Sequence, residues 1–240
     1  MKYSTFFLLL FSAAIYASAR ADDGRYYFDI NSGFKTGDFG TSTRSNLFYF
    51  SPGFGYIAPQ YDVSMSGSFL VLRNSDSGMS GTEAGAGDLV IRGGSLLSGD
   101  NPGKISLYGS LAVKLPLADE GKGLGTGEID YGAFAEMSKR VNKNRFSVRA
   151  GYIKTGDGEF DYNDIYLYSI GASRIFGKTD IEVSLDGRRA IITGEKNPLE
   201  LNFSLFHILN KDYSIKYSNF VGLNKGGPDF GLNLGFTRWF

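Results

Sequence analysis

The sequence predicts an all-β fold, an antiparallel barrel of about twelve strands that crosses a membrane. Almost every window alternates apolar and polar residues with a period of two, and few show the period of a helix. Glycine (33 residues) and aromatic residues (15%) are abundant while proline (6 residues) is scarce, which favours many strands joined by turns. Each segment is close to the ~9–11 residues that a tilted strand needs to cross a bilayer.

The first nineteen residues predict a cleaved export signal. Lys2 gives a positive start, residues 6–14 form an apolar run, and Ala17-Ser18-Ala19 is a small-x-small cleavage site. The run is too short for a membrane anchor of ~20 residues. We therefore expect a signal peptide at 1–19 and one barrel domain at 20–240.

Composition argues against several partners and cofactors. Lys plus Arg (25) equals Asp plus Glu (25), and no basic stripe with interleaved aromatics is present, so nucleic acid is not an expected partner. The chain has no cysteine, so disulfides cannot hold the fold. After the signal, no apolar run approaches 18 residues, which excludes a transmembrane helix. We expect no cofactor.

The strand segments follow in order, with boundaries good to about three residues. The clearest is 105–115, in which Ile105, Leu107 and Leu111 alternate with polar or small residues. In hydrocarbon every backbone N–H and C=O must be paired, and only a sheet closed into a barrel pairs them all. In such a barrel the alternating residues divide into two sets, or parities: the apolar parity is predicted to face lipid and the polar parity to face the lumen. The twelve segments are 25–35, 45–56, 61–73, 87–98, 104–115, 128–140, 145–155, 163–176, 179–191, 198–209, 212–223 and 229–240.

The connections alternate between short turns and long polar loops. The short ones are 58–59, 99–103, 142–144, 177–178 and 210–211, and the long ones are 36–45, 74–87, 116–128, 155–163, 193–198 and 224–229. This asymmetry with an even strand count is typical of an outer-membrane barrel. A soluble β-sandwich is the alternative, but it has no reason to keep the asymmetry.

The chain ends on an apolar parity that includes Leu232, Leu234 and Phe240. A terminal phenylalanine behind alternating apolar residues resembles the signal read by the outer-membrane assembly machinery of Gram-negative bacteria, although Arg238 stands where another aromatic is usual. We expect Phe240 to be this assembly signal, and we expect localisation in the bacterial outer membrane with lipid as a partner. Aromatics near strand ends, Trp239 among them, predict interfacial girdles.

Two stretches resemble a known family. They are "GAGDLVIRGG" (85–94) and "VKLPLADEGKGLGTGEIDYGAFAEMSKR" (113–140). They are similar to the outer-membrane transporters grouped as the phenol meta-degradation pathway family, which show Gly-x-Gly-Asp-Leu and Asp-Tyr-Gly strand starts and a Lys-Leu-Pro strand end. The likeness covers residues 85–240, but Leu117 and Ala118 replace the family's threonine and glycine. The resemblance implies passage of small solutes, aromatic or hydrophobic compounds included.

Charges of both signs occupy the polar parity and are the candidate lumen-lining residues. Twelve strands should enclose a narrow lumen, in which basic and acidic rings would select solutes by charge. The alternative is an ion-pair network that plugs the barrel, because buried charges must be paired. The candidates are Arg92, Lys114, Asp130, Glu136, Arg149, Glu182, Asp186, Arg188, Glu200 and Lys216.

Three further features of the sequence are candidate sites. The stretch 120–128 lacks the Lys-Ser/Thr ending and following helix of a phosphate loop, and a mobile extracellular loop is predicted there. The acids of 157–164 could hold calcium, but the glycine spacing and closing glutamate of an EF-hand are missing. His207, the single histidine, falls on the lipid-facing parity without a His-x-Ser pair, so it is not an expected catalytic base.

The resulting prediction is a passive channel for small solutes that is not an enzyme. A closed structural or surface-interaction barrel, whose extracellular loops bind a ligand, is the alternative from another class. An outer-membrane hydrolase is the third hypothesis.

Overall fold

The computed structural model describes residues 24–39, 44–74, 81–99, 103–156 and 162–240. The predicted signal peptide lies outside these residues. Within them, no helix is long and apolar enough to cross a membrane. The strands are β1 (Arg25–Gly37), β2 (Ser45–Ile57), β3 (Tyr61–Ser66), β4 (Phe69–Asn74), β5 (Thr82–Ala86), β6 (Leu89–Ser98), β7 (Ile105–Leu115), β8 (Asp130–Val141), β9 (Asn144–Lys154), β10 (Ile165–Phe176), β11 (Thr179–Arg188), β12 (Leu199–Ile208), β13 (Tyr213–Gly222) and β14 (Pro228–Trp239).

All strands belong to one antiparallel sheet, which closes because β1 pairs with both β2 and β14. β3 and β4 are two halves of one barrel strand, since β2 pairs with both in a continuous register, Phe50↔Phe69 and Gly53↔Ser66. β5 and β6 are likewise the halves of the next strand, paired with β4 and β3. The prediction of a closed barrel of about twelve strands is therefore confirmed.

A bulge interrupts the third and fourth barrel strands. The pairs Ser66↔Val90 and Phe69↔Ala86 are separated by three residues on one strand (69 − 66) and four on the other (90 − 86), so one residue is extra. The fourth strand begins at Thr82, and the prediction of a start at 87 was wrong. Residues 82–86 carry no large apolar side chain, so β5 has no hydrophobic alternation to detect.

The outer face of the barrel is apolar, as the predicted parity requires. On β2, Phe48, Phe50 and Phe54 are exposed while Tyr49 and Ser51 are buried inside. Neighbouring strands repeat this pattern, so large apolar side chains surround the barrel over an area that soluble monomers rarely expose. This face suits a lipid bilayer, in which a closed sheet leaves no backbone group unpaired.

The inner face is mainly polar but includes two apolar clusters that the alternation did not predict. One consists of Val90, Ala112, Ile153, Ile165 and Leu167. The other consists of Leu47, Tyr49, Leu70, Leu72, Ala118 and Leu124. Residues 69–72 are apolar on both parities, and Leu70 and Leu72 take the inward positions.

The barrel has a short-turn end, where both described termini lie, and a long-loop end. At the short-turn end, Arg25 Nη1 donates to the Lys211 carbonyl at 2.7 Å, and Phe240 N donates to the Tyr26 carbonyl at 2.9 Å. The first contact ties β1 to the β12–β13 turn, and the second extends the pairing of β1 with β14 to the end of the chain. Trp239 was wrongly predicted to lie in a girdle, since its parity directs it inward to pack with Tyr27.

Candidate channel lumen

The candidate lumen residues share the inward parity of their strands. One cavity of ≈ 140 Å³ lies between β1 and the β9–β14 wall. Arg92, Lys114, Asp130 and Glu136 are not part of its lining. The candidates that line it are Arg149, Glu182, Asp186, Arg188, Glu200 and Lys216.

Much of the charge on the cavity wall is neutralised within the wall. Arg149 bridges two carboxylates, with its Nε 2.9 Å from Glu136 Oε2 and its Nη2 2.7 Å from Glu182 Oε1. Arg188 Nη1 lies 2.8 Å from Glu200 Oε1. These pairs hold the side chains against the wall and leave the cavity between them.

Three charged groups of the lining remain outside this pairing. One is Asp186, whose Oδ2 accepts from Asn202 Nδ2 at 2.7 Å, and the other two are lysines. Neither Lys35 nor Lys216 has a carboxylate within 4.0 Å among the described residues, and both line the cavity. Lys35 Nζ lies 5.2 Å from the centre of the Phe220 ring. Lys35 was not among the predicted lumen residues. It falls at the end of the predicted first strand, 25–35, whereas β1 continues to Gly37 and carries Lys35 within the barrel wall.

Neutral polar groups complete the cavity wall. Amides from Asn31, Asn202 and Asn233 lie among the hydroxyls of Ser184, Ser204 and Ser218. Tyr49 Oη donates to Asn233 Oδ1 at 3.0 Å, so an aromatic ring also lies beside the cavity. The wall therefore offers hydrogen-bond donors and acceptors as well as charge.

Lys114 is sealed inside an ionic cluster and is fully buried. Its Nζ lies 2.8 Å from Asp130 Oδ2 and 3.6 Å from Asp88 Oδ2, and it donates to Thr126 Oγ1 at 2.6 Å. Asp88 Oδ1 accepts from Ala118 N at 3.1 Å. The loop between β7 and β8 is thereby tied to the inner wall at two points, Thr126 to Lys114 and Ala118 to Asp88.

That loop folds into the barrel, and the prediction of a mobile extracellular loop at 120–128 was wrong. Leu124 is 1% exposed and packs with the inner cluster that includes Leu47, Leu70 and Leu72. Leu117, in the same loop, is 61% exposed. We name residues 117–126 the inner loop. It narrows the lumen at the long-loop end.

Arg92 belongs to a separate network on the inner wall. Its Nη2 donates to Tyr108 Oη at 2.9 Å, and Tyr108 Oη donates to Asp62 Oδ1 at 2.6 Å. A Cβ on Gly94 would collide with the Tyr108 ring, so the glycine leaves space for this ring to lie flat on the wall.

His207 and the acids of 157–164 are the other candidate sites that the sequence offered. His207 Nδ1 is 2.7 Å from Thr179 Oγ1, across a strand pair on the outer parity. Residues 157–161 lie outside the described residues. Tyr152 Oη donates to Asp164 at 2.6 Å and holds the pKa of that carboxyl below its usual range. The described residues contain no group of three or more His, Cys, Asp or Glu suited to a metal ion.

Solved structures with the same architecture are outer-membrane proteins. A crystal structure of an outer membrane channel from Pseudomonas putida F1 superimposes with a TM-score of 0.75 and 13% identity, covering 92% of this chain and 97% of that one. The fold is that of an outer-membrane β-barrel. The NanC porin matches with a TM-score of 0.56 and 12% identity, over 88% of this chain and 98% of that one.

The fold also occurs outside channels. The translocator domain of the autotransporter NalP from Neisseria meningitidis matches with a TM-score of 0.59 and 9% identity, covering 98% of this chain and 95% of that one. No protein-family model matches the sequence, and no curated protein matches it. At these identities the similarity establishes the architecture alone.

Proposed function

We propose that this chain is a passive channel for small polar solutes in the bacterial outer membrane. The observation that carries the proposal is the cavity inside a closed barrel, whose wall presents paired charges, amides and hydroxyls. A solute that enters such a cavity exchanges its hydration for these groups, which lowers the cost of dehydration. Lipid surrounds the apolar outer face, and solutes move down their gradient without a cofactor.

The proposal assigns roles to the residues around the cavity. Arg149, Glu182 and Glu200 hold fixed charges on the wall, while Lys35 and Lys216 offer cations that a solute carboxylate or phosphate could approach. The inner loop limits the size of solutes at the long-loop end. Phe240, 58% exposed at the end of the chain, is proposed as the assembly signal read by the outer-membrane machinery.

A second candidate, passage of aromatic compounds, follows from the resemblance to the phenol meta-degradation pathway family. The inner apolar cluster with Leu47, Leu70 and Leu72 supports it, because these side chains would favour an aromatic ring near the long-loop end. The two candidates make opposite predictions for the ranking of solutes.

Flux through liposomes tests the proposal. Purified protein in liposomes is expected to speed the uptake of a small sugar and of a charged organic acid, with a smaller effect on a phenol-like tracer of matched size. The cavity wall can form hydrogen bonds with the sugar and the organic acid, whereas the phenol-like tracer forms few of them. Liposomes with heat-unfolded protein provide the control. Impermeability to all three solutes would contradict the proposal and favour the closed barrel, and acceleration of the aromatic tracer alone would favour the second candidate.

The two unpaired lysines should bias the channel towards anions. A monovalent ion passing ~7 Å from an ammonium group in a water-filled lumen gains about 0.6 kcal/mol, a factor of about three in occupancy. The double variant Lys35→Gln/Lys216→Gln is therefore expected to shift the reversal potential in a salt gradient towards cation selectivity, most clearly at low salt.

The matched control removes two exposed loop lysines, Lys196→Gln/Lys225→Gln. It changes the net charge by the same amount but not the cavity wall. An equal shift in both double variants would show that surface charge, rather than the lumen, sets the selectivity.

A further inference from the structure

Four cations stand together on the outer surface at the short-turn end. They are Lys139 on β8, Lys143 in the β8–β9 turn, Arg174 on β10 and Lys178 in the β10–β11 turn, and all four are exposed. None of them forms an ion pair within the part of the chain that the structure describes. We name these four residues the basic rim.

Strand register brings the basic rim together. Lys139 lies opposite Phe146, and Phe146 lies opposite Ala172, two positions before Arg174. Ile175 N donates to the Lys143 carbonyl at 3.0 Å, so the β8–β9 turn lies directly beside Arg174. Since neighbouring strands are ≈ 4.8 Å apart, one small anion could contact cations from two of these elements.

Among the described residues, no carboxylate offsets the rim from the outer side. The acids near this end of the same strands, Asp180 and Glu182, are buried on the inward parity. Glu182 is engaged there by Arg145 and Arg149. Elsewhere at this end, Arg25 bonds the β12–β13 turn. Within the rim, Lys178 Nζ lies 3.5 Å from the Leu209 carbonyl, a contact that leaves its charge uncompensated.

An apolar surface adjoins the rim on the membrane side. Phe146, Val148 and Ile170 are exposed on the lipid-facing parity, and Phe176 is exposed 5.3 Å from the Arg174 guanidinium. A ligand with an anionic head and an apolar tail would match both parts. The long side chains of the rim can extend to headgroups while their stems remain against apolar surface.

We propose that the basic rim binds the headgroup of an anionic phospholipid from the surrounding bilayer. The phosphate lies between Arg174 and the lysines of the turns, and the acyl chains lie against Phe146, Val148 and Ile170. Because the chain's positive and negative charges are equal in number, net charge does not drive this binding, and the local cluster does. The site is independent of solute passage through the lumen.

Native mass spectrometry of the protein in detergent micelles tests the site with two probes, phosphatidylglycerol and phosphatidylcholine of identical chains. The protein is expected to retain phosphatidylglycerol preferentially. The variant Lys139→Gln/Lys143→Gln/Arg174→Gln/Lys178→Gln should lose this preference, by about fivefold for each cation that contacts the phosphate. The control Arg73→Gln/Lys122→Gln/Lys196→Gln/Lys225→Gln removes the same charge from exposed positions at the long-loop end and should keep the preference.

Equal retention of the two lipids by the unmodified protein would overturn the proposal, as would equal losses in the variant and the control. Displacement of the lipid by excess inorganic phosphate would also overturn it, because the site would then be one for small anions. If the fourfold variant does not fold, the pairs Lys139→Gln/Lys143→Gln and Arg174→Gln/Lys178→Gln are compared. Each of these double variants is expected to lose part of the preference for phosphatidylglycerol. If neither double variant loses any of it, the proposed site is wrong.

Discussion

Replacing Lys114 with methionine is expected to destabilise the barrel by about 3–5 kcal/mol, the usual cost of removing one partner from a buried ion pair. Methionine keeps an unbranched side chain but leaves Asp88 and Asp130 buried without their cation. It also removes the donor to Thr126. The measurement is equilibrium unfolding by urea in lipid or detergent, compared at the transition midpoint.

The same substitution should enlarge the conductance of single channels. The Lys114 cluster holds the inner loop through Thr126 and, by way of Asp88, through Ala118 N. Once the carboxylates lose their cation they attract water, and the loop is released from the wall. The control is Lys122→Met in the same loop, whose Nζ is exposed and reaches only the Ala84 carbonyl at 3.4 Å.

Neutralising the whole cluster shows whether a loss of stability in Lys114→Met comes from unpaired buried charge or from the loss of the contacts that hold the loop. The triple variant Lys114→Met/Asp88→Asn/Asp130→Asn removes the uncompensated charges and should recover part of the lost stability. If Lys114→Met were as stable as Lys122→Met, the cluster would not be a structural tie. If the triple variant were less stable than Lys114→Met, unpaired charge would not be the cause.

The sequence was sufficient to predict the barrel because the bilayer imposes a period of two on every crossing strand. On β2, for example, Phe50 and Phe54 alternate with Ser51, Gly53 and Gly55, which indicates the side that faces lipid. The parity of Arg149 and Glu182 followed in the same way, and register then placed them within hydrogen-bonding distance. Alternation therefore predicts direction, although not which charges pair.

The inner loop could not be predicted, because a loop has no period from which to infer the direction of a side chain. Its glycines indicated mobility, whereas Leu124 anchors it to apolar residues from β2 and β4. The inward Leu70 and Leu72 gave the available signal, since apolar residues on both parities of one strand need a partner on the lumen side. Trp239 was misplaced because its position near the strand end was given more weight than its parity.

The apolar anchor of the inner loop provides the second large effect. Truncating Leu124 to alanine is expected to cost about 2–5 kcal/mol of packing, because the side chain is almost fully buried and its neighbours on the barrel wall cannot collapse into the gap. The substitution destabilises the packed position of the loop, while the hydrogen bonds between the strands are kept. The expected results are a larger conductance and faster uptake of sugars that the unmodified channel excludes.

Trypsin reports the same release directly. The Lys122 side chain is exposed in the packed loop, but its backbone lies two residues before the anchor and can extend into the protease only when the loop leaves the wall. The matched control is Leu117→Ala, in the same loop, where the side chain is 61% exposed and little packing is lost. Identical conductance and cleavage for the two variants would mean that the Lys114 cluster alone holds the loop. A difference confined to Leu124→Ala would mean that apolar packing limits the width of the lumen, with the ionic cluster setting where the loop attaches.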